Sequence, residues 1–544
     1  MIYAAVHGAE EMEKIKSSDQ DQKRRLLRST LAVSIPTVLS RVLGYVRDLL
    51  QAYFLGTSGS ADAFNIAYTI PNLLRRLMGE GAMTAAFIPV FTQLKKEKTK
   101  DELWKFANHF FFDLTLIMTV LTILGLITAP FLVRLMASLG QDVAQIHLTV
   151  LLTRIMFPYM FLISMAALAM AILNSMRKFF LPAFTPVLFN LSIITVTLLF
   201  ARKAEEPAFI FAVGVVIGGF LQLAVQIPAL WKQGMRFGFG INFKHPAIRK
   251  VARLMIPGIF GAGIVQINFA ISKAMAWSLG EGSVASLYYS TRVQELTLGI
   301  FSIAFSIALL PTFSEQAAHQ DLASLKKTLV FAFRLIGFIT FPAMVGLMVL
   351  SRPIIQVLFE HGVFDAASTA KTAPCLLFFA LGLPFISCVK ILAPAFYSLK
   401  DTRTPVFVAF FVMITYISLG FLLMGAMGVS GLALALTVSS VLNCTALFFL
   451  LEKKIGRVDK KPFIRSILRS LAAALVMGGG IASLLLVVSF RGLHWVERLG
   501  LLAAVIAFGL CLYIGISLLV NRDEMNGVRL LFSPEKIRKH GSEK

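Results

Sequence analysis

The chain has 544 residues, of which 57% are hydrophobic and 15% charged, with a mean hydropathy of +0.77. A soluble protein of this length needs a charged surface, so this balance excludes a water-dispersed fold and makes lipid the main solvent. The net charge of +23 would suit nucleic acid if gathered on one soluble domain, but the basic residues lie in short connectors between apolar runs, and no nucleic-acid partner is expected.

The first 28 residues are polar, mixed in charge and end in KRRLLR. They lack the apolar core and small-residue cleavage site of a signal peptide and read as a cytoplasmic tail. About fourteen apolar runs follow, each long enough to cross the hydrocarbon core as a helix. Their predicted limits are 29–50, 61–90, 106–135, 146–173, 183–201, 208–231, 251–278, 283–312, 328–350, 371–398, 405–427, 429–451, 464–489 and 496–520. Barrel strands would alternate apolar and polar residues over about ten positions, and no such alternation is visible.

Connector charge sets the orientation. The amino-terminal tail, KKEKTK (95–100), Arg177-Lys178, 232–250, Lys326-Lys327, KDTR (400–403) and EKKIGRVDKK (452–461) are basic, whereas 51–60, 138–142, 278–282 and 425–431 are almost neutral. Segment 202–206, Arg491 and Arg498 are weaker exceptions. An even helix count with both termini cytoplasmic satisfies the positive-inside rule. Trp104, Trp231, Trp277 and Trp495 all sit at predicted span ends, where an interfacial belt is expected. Cys375, Cys388, Cys444 and Cys511 fall inside apolar segments without CxxC or Cys/His spacing and read as packing residues, so no metal is expected.

The first six runs resemble the next six at an offset of about 222 residues. Ile35-Pro36 matches Ile256-Pro257, Pro89 with Phe91 matches Pro311 with Phe313, and Ser175 and Pro182 match Ser398 and Pro405. Six helices is an even number, so both copies share one orientation and the expected pseudo-two-fold lies along the membrane normal. The expected architecture is an all-α membrane protein of two six-helix lobes plus two extra C-terminal helices. The boundaries read as a tail at 1–28, a first lobe at 29–231, a second lobe at 232–452, the extra helices at 453–520 and a cytoplasmic tail at 521–544.

Charge inside the spans carries the functional signal. Span one reads SRVLGYVRD and holds Arg41, Arg47 and Asp48; span two holds Asp62, Arg75, Arg76 and Glu80. Lys273, Arg292, Glu295 and Lys390 lie in spans seven, eight and ten. An Arg or Lys near the bilayer centre costs at least about 2.5–3.5 kcal/mol, so the set needs a wet or paired environment. Arg41 and Arg47 are separated by roughly 120° on an ideal helix. They share a face only if Pro36 or Gly44 distorts the helix or a cavity wraps around it; otherwise one pairs with Asp48 or reaches an interface. Each single charge also reads as a snorkelling side chain or a structural ion pair. Taken together, the cations exceed the nearby anions, and Arg supplies planar forks for phosphate oxygens, so transport of a phosphate-bearing anion is expected.

The segments SRVLGYVRD (40–48), ADAFNIAYTIPNLLRRLMGEGAMTAAFIPVF (61–91), FPY (157–159), AILNSMRKFFLPAFTPVLFN (171–190), YYSTRVQE (288–295) and VKILAPAFYSLKDTRTP (389–405) resemble the MurJ (MviN) family of the multidrug/oligosaccharidyl-lipid/polysaccharide exporter superfamily. The order and spacing are collinear from about residue 29 to the final helices. The resemblance implies fourteen helices and alternating-access flipping of lipid II, an undecaprenyl-pyrophosphate-linked disaccharide-pentapeptide, to the outer leaflet of the bacterial cytoplasmic membrane. It also implies a cationic central cavity and a groove for the polyprenyl tail at the last two helices. The family's functional arginines fall on Arg41, Arg47, Arg75 and Arg292, and its acidic positions on Asp62 and Glu295. Asp62 and Glu295 are expected to form latch pairs with arginine, Asp48, Glu80 and Arg76 further ion pairs, and Lys273 and Lys390 additional cavity cations.

Neither enzyme chemistry nor a cofactor is expected: no DxD, HExxH or GxSxG constellation lies in the short loops. A single chain acting among membrane lipids is the expected unit. Spans eleven and twelve and the middle of span seven lack acidic residues, which leaves little material for a carboxylate sodium site. The membrane potential, at about 2.3 kcal/mol per charge per 100 mV, or a cation supplies the coupling. The alternatives are a flippase for another polyprenyl-linked saccharide or a cation-coupled multidrug exporter; the latter needs acidic cavity residues.

Overall fold

A computed structural model describes residues 32–77, 83–137, 141–490 and 492–525. Among these residues helix is the only regular secondary structure, with no strand. The main helices in chain order are α1 (32–55), α2 (Gly59–Leu77), α3 (Met83–Glu97), α4 (Lys100–Met136), α5 (Val143–Ser175), α6 (Phe180–Phe200), α7 (Pro207–Ala224), α8 (Gln226–Lys232), α9 (Pro246–Trp277), α10 (Ser283–Ala318), α11 (Leu322–Val349), α12 (Ser351–Phe359), α13 (Ala366–Leu381), α14 (Leu383–Ser398), α15 (Arg403–Met427), α16 (Val429–Ile455), α17 (Lys461–Val487) and α18 (Trp495–Val520).

Nine of the described helices are long and apolar enough to cross a membrane, or ten if the bent pair α13–α14 is one span. The expected count of fourteen is compatible, because α1, the α2–α3 stretch, α9 and α10 carry in-span charges or border undescribed residues. The apolar faces look outward as lipid demands: on α15, Leu422 is 73% and Phe411 64% exposed.

The chain divides into two compact units. The first comprises residues up to Gln51, Ile66–Leu135 and Asp142–Ile267. Its core stacks Phe87 and Phe91 of α3 on Phe106 and Phe110 of α4, with ring centroids 5.1–6.5 Å apart. Gly214 and Gly218 of α7 bring its backbone onto α6; a Cβ at Gly218 would fall 2.8 Å from the Phe189 ring. Small residues spaced by four are the usual device for close helix contact in lipid.

The second unit comprises Ala52–Asn65, Met136–Gln141 and residues from Asn268 onward. Here span ten, expected to be one helix over 371–398, is instead two helices bent by 45° at Gly382. Pro384 has no N–H to donate, and side chains cover carbonyls at the break: Thr437 Oγ1 donates to Phe378 O at 2.6 Å and Gln294 Nε2 to Phe379 O at 2.6 Å. Such a break survives in a membrane only when its backbone groups find new partners. Helices α17 and α18 pack on α11, tied by Tyr513 Oη donating to Phe338 O at 2.7 Å and by Arg334 with Glu524 at 2.8 Å.

The tryptophan belt needs one correction. Trp231 and Trp495 are half exposed, but Trp277 is 0% exposed. Its carbonyl accepts from the Gln141 side chain, so this ring packs in the protein interior rather than at a lipid interface.

The turn before α15 shows how a polar connector is made rigid. Asp401 accepts from the Arg403 and Thr404 amides at 3.1 and 3.0 Å and from Thr404 Oγ1 at 2.6 Å, and it pairs with Lys454 at the end of α16. Burial works against the charged carboxylate, but the hydrogen bonds from Lys454 and Thr404 outweigh it and hold the group well below the usual carboxylate range. A depressed folded pKa gives stability that is present above the unfolded value near about 3.9 and lost as pH falls through the folded one. Asp401→Asn is therefore expected to lower the melting temperature in detergent at pH 7. The deficit should shrink as pH drops from 5 toward 3, and equal melting curves at pH 7 would refute this.

Candidate anion-binding site

In the first unit, α1 presents its charges to α6. Arg47 is 16% exposed; its Nη2 and Nε lie 2.8 and 3.1 Å from Asp48 Oδ1, and its Nη1 donates to Asn190 Oδ1 at 3.2 Å. Asp48 is 3% exposed. Asn190 Nδ2 donates back to α1 at Ser40 O, 3.0 Å, and to its own helix at Pro186 O, 3.1 Å. Arg41, six residues before Arg47, is exposed and lines a separate cavity formed with α5 and α6. The two guanidiniums thus occupy different settings on α1, one paired and one open, as their angular separation on a regular helix requires.

In the second unit, Arg292 Nη1 meets Glu295 Oε2 at 2.8 Å, one turn along α10. Its guanidinium lies 4.9 Å from the Tyr288 ring centroid, and Nη2 lies 3.3 Å from the Tyr288 hydroxyl. Lys273 of α9 reaches the same ring at 6.0 Å and donates to Asn65 O at 3.1 Å. The ring quadrupole attracts each of these cations, and two cations at one tyrosine suit a multiply charged anion. Lys390 lies on α14, half-buried.

Asp62 is placed by a helix end. It is 0% exposed, and its two oxygens accept from the Gly282 and Ala285 amides at 2.7 and 2.8 Å, at the amino terminus of α10. The expected arginine partner is replaced by these unmet N–H groups and the positive end of the helix dipole. Around it three turns close on one another through glycines of positive φ: Gly56, Gly282 and Gly362. A Cβ on Gly282 would fall on the Thr57 carbonyl oxygen, one on Gly362 on the Tyr53 carbonyl, and one on Gly56 within 2.8 Å of Val363 O. Val363 N donates to Tyr53 O at 2.9 Å, and Tyr289 Oη to Gly56 O at 3.0 Å.

Two expected site residues lack a described side chain. Arg75 lies on α2, but its side chain is outside the described residues, and Glu80 lies outside them altogether. Arg76 follows on α2, half-buried.

The chain matches the family described as Lipid II flippase MurJ over residues 51–499. The chain belongs to that family. It is 36% identical to a probable lipid II flippase MurJ of Vibrio cholerae serotype O1, over 78% of this chain and 82% of the relative. It is 33% identical to the lipid II flippase MurJ of Burkholderia cenocepacia, over 90% and 96%. Among solved structures, a lipid II flippase MurJ in an inward closed conformation superposes with a TM-score of 0.76 at 28% identity, covering 91% of this chain and 99% of the other. An inward-facing multidrug transporter of the MATE family superposes with a TM-score of 0.66 at 14% identity, covering 79% and 99%, which shows a shared fold.

Two residues at these sites, Asn190 and Tyr288, escape attention in sequence. Neither is charged, but each stands at a readable position. Tyr288 precedes Arg292 by four, one helical turn, and Asn190 follows Pro186 by four. The capping role of Asp62 predicts that Asp62→Ala costs about 1–3 kcal/mol in thermal unfolding, the penalty for orphaned buried amides. Hydrogen exchange at 282–286 should accelerate in step; unchanged exchange there would remove the cap from the account.

Proposed function

We propose that this chain carries lipid II from the cytoplasmic to the outer leaflet of the bacterial cytoplasmic membrane by alternating access of its two halves. The pyrophosphate is held by Arg41, Arg47 and Arg292, and Arg75 joins during closure. Lys273 adds charge beside Tyr288. Family membership supports the substrate. The observation that carries the chemistry is the cationic pair Lys273 and Arg292 on one tyrosine ring, with Glu295 the acid bonded to Arg292. Guanidinium forks suit diphosphate oxygens. The chain is a transporter rather than an enzyme, both termini are cytoplasmic, and one copy suffices. The membrane potential supplies the driving force; transport that stalls on sodium removal at constant potential would refute that part.

Arg41→Ala and Arg292→Ala are expected to abolish complementation of a conditional flippase-depletion strain and exposure of lipid II on the outer leaflet, with folded protein at normal levels in the membrane. Normal lipid II exposure in either variant would reject its assigned role.

A further inference from the structure

The first unit contains a cavity of about 380 Å3 beside Arg41. Ser40, Arg41 and Asn174 are polar members of its wall; Val33, Met170 and Ala183 are among the apolar ones that make up most of it. The wall is built to hold its shape. Asn190 pins Ser40 through its carbonyl at 3.0 Å and its hydroxyl at 3.3 Å. Pro186 leaves the Pro182 carbonyl without its helical donor, and Thr185 Oγ1 supplies one at 3.0 Å. Arg41 has no hydrogen bond or ion pair among the described residues, so its guanidinium is available to an anion at this rim.

One cation beside a space whose wall is mostly apolar, with Thr37, Ser40 and Asn174 as its uncharged polar members, suits an amphiphile with its charge at one end. An apolar cavity of about 150 Å3 takes a benzene molecule, so this one accommodates roughly two isoprene units. We propose that the cavity is a subsite for the phosphate-proximal prenyl units of a polyprenyl diphosphate, with Arg41 on the diphosphate and α1, α5 and α6 around the first two isoprenes. This rests on the reading that Arg41 binds the diphosphate of the transported lipid. The subsite makes the chain recognise the lipid stem as well as the charge, so that a free anion is a poor competitor.

The test is calorimetric titration of the full chain in detergent with inorganic pyrophosphate and with geranyl diphosphate, using geraniol as the control for micelle partitioning. Geranyl diphosphate is expected to bind about tenfold more tightly than pyrophosphate, the increment of a partly buried hydrocarbon stem. Ala183→Trp, which fills the cavity, should erase that difference and leave pyrophosphate affinity as it was. Met170→Trp fills it from α5 and serves if the first variant melts early. Equal wild-type affinities, or a tenfold preference surviving in a folded filled variant, would overturn the subsite. Pyrophosphate binding that Arg41→Ala leaves intact would instead overturn the anion role of Arg41, and a prenyl preference erased by the filled variants would then still stand.

Discussion

A backbone surrounded by hydrocarbon must meet its own hydrogen bonds, and this constraint shapes every described part of the chain. It accounts for the helices, and it also governs their interruptions. Where Pro186 removes a donor, Thr185 replaces it; where the α13–α14 bend exposes carbonyls, Thr437 and Gln294 cover them. Hydroxyls elsewhere hide in their own helices, as Thr122, Thr153, Ser164, Ser290 and Thr340 do by donating to the carbonyl four residues back.

The same rule applied to charge explains the layout of the site. Arg47 bonds the adjacent Asp48, Arg292 bonds Glu295 one turn away, and Asp62 lies against a helix end. The two arginine–carboxylate pairs are close in sequence and form with little loop-closure entropy. An arginine held in this way is oriented before any anion arrives, which reduces the ordering cost of binding.

Much of this was legible in the sequence because lipid imposes simple arithmetic. Run length indicated the helical membrane fold, and the charged positions in apolar helices drew attention to Arg41, Arg47, Asp62 and Arg292. What escaped depends on packing across helices. Trp277 sits at a span end like the other tryptophans, and periodicity alone cannot distinguish a buried ring from an interfacial one. The partner of Asp62 is a pair of backbone amides, which no residue letter reports. The break at Gly382 is preceded by an apolar stretch and followed by Pro384, a pattern also common in continuous membrane helices.

The glycine-only closure of the turns at Gly56, Gly282 and Gly362 bears on how the protein is made. The α1–α2 turn emerges from the ribosome early, whereas the turns that fit against it lie more than about two hundred residues later in the chain. Until those arrive, Asp62 and its turn have no binding partner, and the first hairpin waits in the bilayer with an uncapped acid. Sequence separation of this kind slows folding. Maturation of the second unit is therefore tied to translation of its distant segments, and a chain truncated before Gly282 would leave the insertion machinery with that acid still unmatched.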